Sequence, residues 1–138
     1  MIRKSAGFTL IELIIAVTII AILAGIAYPV YIDYVRKTNR AEAKVELMDA
    51  AQRLQRCYTA LGKFNDSANC PVYSQILSNI VTRKGYYRIY IASAVPATAT
   101  TYTLHAEAVK KPQTEDTKNG CNNLSIDQNG NMLPVICW

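Results

Sequence analysis

The chain has 138 residues, enough for one modest domain; 51% are hydrophobic, and the formal charge is +5. That excess is too mild to mark a dedicated nucleic-acid binder. A single histidine, His105, and four cysteines without a C-x-x-C pair argue against a zinc site.

The first seven residues, "MIRKSAG", are short and basic. From Phe8 to Tyr28 the only charge is Glu12. A helix of this length spans roughly 30 Å, one hydrocarbon core. Arg3 and Lys4 precede it, which places the N-terminus in the cytoplasm and everything after Tyr28 outside. An ordinary secretory signal peptide is the rival, with Ala24 and Gly25 of "ILAGIAYP" as a crude cleavage site. The apolar run is long for that, and the helical pattern continues past it; a plain N-terminal anchor is the other alternative. A carboxylate in hydrocarbon costs at least ~2.5 kcal/mol, so Glu12 needs a reason to be there.

Gly25 and Pro29 mark a junction where a kink or local unwinding is expected. Beyond it, Ala43, Leu47, Ala50, Leu54, Cys57 and Leu61 recur at steps of three and four, one apolar stripe of an amphipathic helix. Glu42, Lys44, Glu46, Asp49, Arg53 and Arg56 are expected on the solvent face. Gly62 is the expected C-cap. Lys63 to Arg83 reads as an irregular loop with a short helix at Tyr73–Ile80.

Strand patterns follow at Tyr86–Ser93 and Thr100–Val109. In the second, Tyr102, Leu104, Ala106 and Ala108 face one way; Thr101, Thr103, His105 and Glu107 face the other, which is expected to be solvent. "VPATAT" is a hairpin loop, and Lys110–Gly120 a polar loop. "NLSIDQNGNMLPVICW" reads as two short strands around Asn129-Gly130. The sum is an α+β fold: a long N-terminal helix on a four-stranded antiparallel sheet.

An even cysteine count on an exported domain points to two disulfides formed in an oxidising compartment. Three connectivities exist; sequence neighbours favour Cys57–Cys70 and Cys121–Cys137, the latter stapling the C-terminal loop.

"GFTLIELIIAVTIIAILAGIAYPVYIDY" resembles the N-terminus of type IV pilins and pilin-like proteins. The resemblance covers leader length, the Gly7-Phe8 junction, Thr9-Leu10, Glu12, the apolar run and Pro29. It implies that a prepilin peptidase cuts between Gly7 and Phe8 and that Phe8 is N-methylated. The amine so created needs a counter-charge in a core of packed apolar helices, and Glu12 of a neighbouring subunit is expected to supply it and set the helix register, the alternative being an acid that snorkels to the membrane face. The resemblance also implies that the region of Gly25 and Pro29 can unwind in assembled pili. Losing Arg3 and Lys4 leaves 13 basic residues of the 15 against 10 acidic, a net +3.

The implied organisation is a leader at 1–7, a membrane and filament-core helix at 8–28, an amphipathic helical half at 29–61 and a globular head at 62–138. Within the head, the loop between helix and sheet is 62–84 and the sheet 85–138. "RAEA", "GYY", "YTLHA", "LSIDQNG" and the terminal "CW" resemble minor pilins and the pilin-like receptors for DNA uptake.

The implied partners are other pilin subunits, the peptidase and the inner-membrane pilus assembly machinery. The implied location is the inner membrane with a periplasmic head, then the extracellular pilus. Motility, adhesion and DNA uptake belong to the whole fibre.

No catalytic constellation and no cofactor motif is present, so an enzyme is not expected. Asp127, Asn129 and Asn131 faintly echo a calcium loop, but Met132 stands where Gly is needed and the distal Glu is missing. Arg83, Lys84, Arg88, Lys110 and Lys111, with Lys118, Tyr86 and Tyr87, are candidate DNA contacts through charge and stacking. The plain alternative is a solvated, weakly basic surface. Three functional readings remain: a structural pilin, a tip pilin binding DNA or a surface, and a pseudopilin of a secretion machine. The paired cysteines argue mildly against the last.

Overall fold

The computed structural model describes residues 7–138. Most of the leader, with Arg3 and Lys4, therefore lies outside the described residues. The chain falls into two compact units, one ending at Tyr34 and the other spanning Val35–Trp138.

The first unit contains the opening stretch of helix α1 (Leu10–Leu61). Gly25 and Pro29 both lie within helical backbone, and so do the residues on either side. No residue from Leu10 to Tyr34 is buried; Glu12 and Asp33 are its only charged residues, and the stretch is long and apolar enough to cross a membrane.

In the second unit, residues 35–61 of α1 pack on an antiparallel sheet. The buried positions are Asn39, Ala43, Leu47, Ala50, Ala51 and Leu54, one face at helical spacing. Gly62, at φ 71°, ends α1, and its N–H donates to the Tyr58 carbonyl at 2.8 Å. α2 (Pro71–Leu77) follows, with proline at its first position, where a missing N–H costs nothing.

The sheet has five strands in the order β1-β2-β3-β4-β5: β1 (Ile80–Val81), β2 (Tyr87–Ile91), β3 (Thr103–Ala108), β4 (Asn123–Asp127) and β5 (Met132–Leu133). Four strands were expected; the extra one is β1, where Ile80 pairs with Ile89 and Val81 with Arg88. Two residues carry no alternation to detect, and the short helix expected over Tyr73–Ile80 spans Pro71–Leu77 and ends before Ile80. β1 and β5 are the two edges, each two residues long.

The core joins Leu47 and Leu54 of α1 to Ile76 of α2, Tyr87 and Ile89 of β2, Leu104 and Ala106 of β3, and Leu124 and Ile126 of β4. Disulfides link Cys57 to Cys70 and Cys121 to Cys137. The first ties the end of α1 to the start of α2; the second closes the C-terminal hairpin.

Candidate functional site

The first unit opens with a reciprocal cap. Thr9 stands just before α1 and Glu12 three residues on. The Thr9 N–H donates to Glu12 Oε2 at 2.9 Å, and the Thr9 hydroxyl donates to the same oxygen at 2.7 Å. The Glu12 N–H reaches the Thr9 hydroxyl at 3.3 Å. This is a capping box, and it gives the Glu12 carboxylate an N-terminal setting where negative charge is favoured. Its signature, Thr-x-x-Glu, stands in the sequence. Gly7 and Phe8 precede the helix as exposed, non-helical backbone.

Further along, the Thr18 hydroxyl donates to the Ile14 carbonyl at 2.7 Å, which hides its polarity inside the helix. Leu23, Ile26, Ala27, Val30, Tyr31 and Tyr34 form one continuous, open apolar face of the helix. With Thr9 and Thr18 bonded internally and Leu10, Ile19 and Leu23 exposed, this surface suits only an apolar surrounding.

In the second unit, the start of the loop that carries Lys110 meets Tyr86. The Val109 N–H donates to the Tyr86 carbonyl at 2.9 Å, and Lys110 Nζ lies 5.5 Å from the centre of the Tyr86 ring. Three of the five candidate DNA contacts have carboxylate partners. Lys84 lies 3.4 Å from Glu42, Arg88 lies 2.6 Å from Glu107, and Lys111 lies 2.7 Å from Glu115. Glu115 holds the Lys111 ammonium above its usual range by hydrogen bond and charge, and Lys111 lowers Glu115 in return. The Arg88 and Lys111 pairs are solvent-exposed, so opening them costs little. Arg83 and Lys110 have no ion pair among the described residues.

Three expectations for this face need correction. Tyr87 is fully buried, because β2 alternation turns it with Ile89 into the core, so it offers no stacking face. Glu42 and Glu46 are half-buried rather than solvated; they accept the Lys84 N–H at 2.8 Å and the Arg83 N–H at 3.0 Å. They thus hold the β1–β2 turn against α1. His105 is half-buried and stacks on Tyr90 with ring centres 5.5 Å apart, its cross-strand partner in the register. Both Asp127 oxygens are taken by N–H donors: Asn129 and Asn131 backbone at 2.9 Å, and Asn131 Nδ2 at 2.7 Å. That is an Asx-stabilised turn rather than a cation loop.

The loop that carries Lys110, Lys111 and Lys118 is pinned to α1. Arg36 Nε donates to the Pro112 carbonyl at 3.1 Å, and Arg40 grips Asp116 with Nε at 3.2 Å and Nη2 at 2.6 Å. Gln113, between them, is wholly buried. No sequence signal flagged it; a glutamine in a polar stretch reads as surface.

A model of the family described as "Type IV minor pilin ComP, DNA uptake sequence receptor" matches residues 29–125. A model of the prokaryotic N-terminal methylation motif matches residues 2–28. The chain is 38% identical over 66 residues to the type IV major pilin protein PilA of Myxococcus xanthus, covering 48% of this chain and 30% of that one. It is 60% identical over 37 residues to the fimbrial protein EcpC of Eikenella corrodens (27% and 24%), and 49% over 51 residues to a fimbrial protein of Pseudomonas aeruginosa (36% and 33%). The matches thus span about a third or less of the length of these curated relatives. Among solved structures, a type IV pilin from Shewanella oneidensis shares the fold, with a TM-score of 0.50 and 21% identity over 75% of this chain and 97% of that one. With the methylation motif at its N-terminus and the longer match across helix and sheet, the chain belongs to the type IV pilins, in the family described as type IV minor pilin ComP.

Proposed function

We propose that this chain is a minor pilin, assembled into a type IV pilus through its N-terminal helix, whose head contacts DNA during uptake. The observation that carries the assembly role is the stretch Leu10–Tyr34, helical, unburied and apolar apart from Glu12 and Asp33, opening on a capped Glu12. In this reading prepilin peptidase cuts between Gly7 and Phe8, and Phe8 is N-methylated. The helix then rests in the inner membrane with the head in the periplasm until the assembly machinery moves it into the fibre. The region of Gly25 and Pro29, helical here, is where unwinding on assembly is proposed.

The new amine at Phe8 has a reference pKa near ~8, so it is largely protonated at neutral pH. Inside a fibre of packed apolar helices it needs a counter-charge. Glu12 of a neighbouring subunit supplies one, exchanging its Thr9 donors for the ammonium. Any register that leaves Glu12 without either set is penalised. Glu12→Ala therefore leaves the protein in the membrane but lowers its amount in sheared surface fibres, read by mass spectrometry. Normal incorporation of that variant would overturn the register role. The same spectra distinguish a trace component from a main one.

The DNA role is supported by the family description and by the meeting of Tyr86 and Lys110. Phosphate contacts by lysine make binding salt-dependent, with a slope of roughly 0.9 per contact on duplex DNA. Lys110→Ala combined with Lys111→Ala is expected to weaken binding and flatten the salt dependence by up to about two contacts. Equal binding by wild type and the double variant at low salt would remove the DNA reading and leave the pilin reading intact.

A further inference from the structure

Gln113 has no solvent exposure, yet it stands at the start of a short 3-10 turn in the polar loop between β3 and β4. Its Nε2 lies 2.8 Å from Tyr87 Oη, 3.0 Å from the Arg36 carbonyl and 3.3 Å from Asp116 Oδ2. Two hydrogens serve three acceptors, and Asn39 Nδ2 approaches Gln113 Oε1 at 3.4 Å. The Tyr87 hydroxyl passes the connection on, donating to the Cys121 carbonyl at 3.3 Å. One amide thereby joins the helix, β2 and the loop, and through Tyr87 reaches the start of the C-terminal disulfide segment.

Burying an amide is costly unless its hydrogen bonds are made, and an apolar side chain of similar size would pack without that condition. The bonds made here fix position. They hold the backbone at residue 113 between the Arg36–Pro112 and Arg40–Asp116 contacts, with Lys110, Lys111 and Lys118 exposed on the same loop. A loop already ordered spends less conformational entropy when its cations engage phosphates.

We propose that Gln113 is the positioning residue of the basic surface: it sets the lysine loop against Tyr86 and β2 so that Lys110 and Lys111 engage DNA phosphates together. This rests on the DNA reading above. Gln113 touches no DNA itself and adds no charge.

The test uses the full chain in detergent micelles and a short DNA duplex, titrated across salt concentrations. Gln113→Leu is expected to weaken binding about tenfold at low salt. It is also expected to flatten the salt slope as the Lys110→Ala, Lys111→Ala variant does, although no charge is lost. Tyr87→Phe, which keeps the buried ring and removes one partner of the amide, shifts both in the same direction by less. It stands in if Gln113→Leu does not fold.

Leu47→Ala, a core change away from this loop, lowers the melting temperature and leaves the slope of the folded fraction unchanged. Hydrogen exchange of the amides from 110 to 116 speeds up in Gln113→Leu and not in Leu47→Ala. If the lysine variant loses binding while Gln113→Leu and Tyr87→Phe bind with the wild-type slope, the positioning role is wrong and the DNA reading survives. If the lysine variant binds like wild type, both are overturned.

Discussion

α1 meets two different fates along its length. Between Leu10 and Tyr34 it buries nothing; between Asn39 and Leu54 it buries six residues. The backbone is the same helix, and Leu and Ile are as apolar as Leu47 and Leu54. What differs is who supplies the surroundings. The later stretch keeps one face polar because its apolar face is met by the sheet of its own chain. The earlier stretch, Glu12 and Asp33 aside, is apolar on every face, so it suits an apolar surrounding that its own chain does not supply. One chain thus carries a self-sufficient fold and an incomplete one.

The strongest way to break that contrast is to remove the covalent ties, which lie only in the second region. Reduction, or Cys121→Ser with Cys137→Ser, is expected to cost the head about 2–5 kcal/mol in urea unfolding. Membrane extraction should be untouched. A change in detergent partitioning on reduction would show that the two regions are not independent.

Leu47→Ala and Ile19→Ala sharpen the comparison with one chemistry at two sites. The first empties part of a fully buried position and is expected to cost about 2–5 kcal/mol. The second trims an exposed side chain and should change head unfolding by less than about 0.5 kcal/mol. Equal losses would mean that the head leans on the apolar stretch.

A smaller effect lies in acid. The Asn69 side chain and backbone, with Lys63, lower Asp66 from its ordinary 3.8 to about 2. Its folded-state pKa is below the unfolded one, so its contribution is complete above about pH 4. It is lost as pH falls through about 2. Asp66→Asn should flatten that acid limb of head stability while leaving the first region's helicity unchanged. Smallest of all, Asp49→Ala removes an exposed i,i+4 partner of Arg53 at 2.9 Å and should cost only a few tenths of a kcal/mol.

Legibility in the sequence followed the same division. The apolar stretch, the stripe through Leu47 and Leu54, and the alternation of Tyr102, Leu104 and Ala106 are periodic, and periodicity survives without coordinates. Tyr87 was misplaced because its basic and aromatic neighbours suggested a surface, although alternation with Ile89 put it inside. Glu42, Glu46 and Gln113 were unreadable for a different reason. Each polar group is matched by a partner more than twenty residues away, and no local pattern encodes such a bond. The Thr9–Glu12 cap lies between these cases, spelled out locally but masked by the larger question of the membrane.

The two-residue rims of the sheet have a consequence in polymer chemistry. The proposed fibre would crowd heads together at a concentration far above that of free protein. A long open strand on each head would be a second propagating end, able to add chains by sheet extension in parallel with growth through the helices. Ile80–Val81 and Met132–Leu133 offer too short a template for that. The sheet is therefore capped at both edges, and in the proposed fibre strand exchange between heads would find little to pair with.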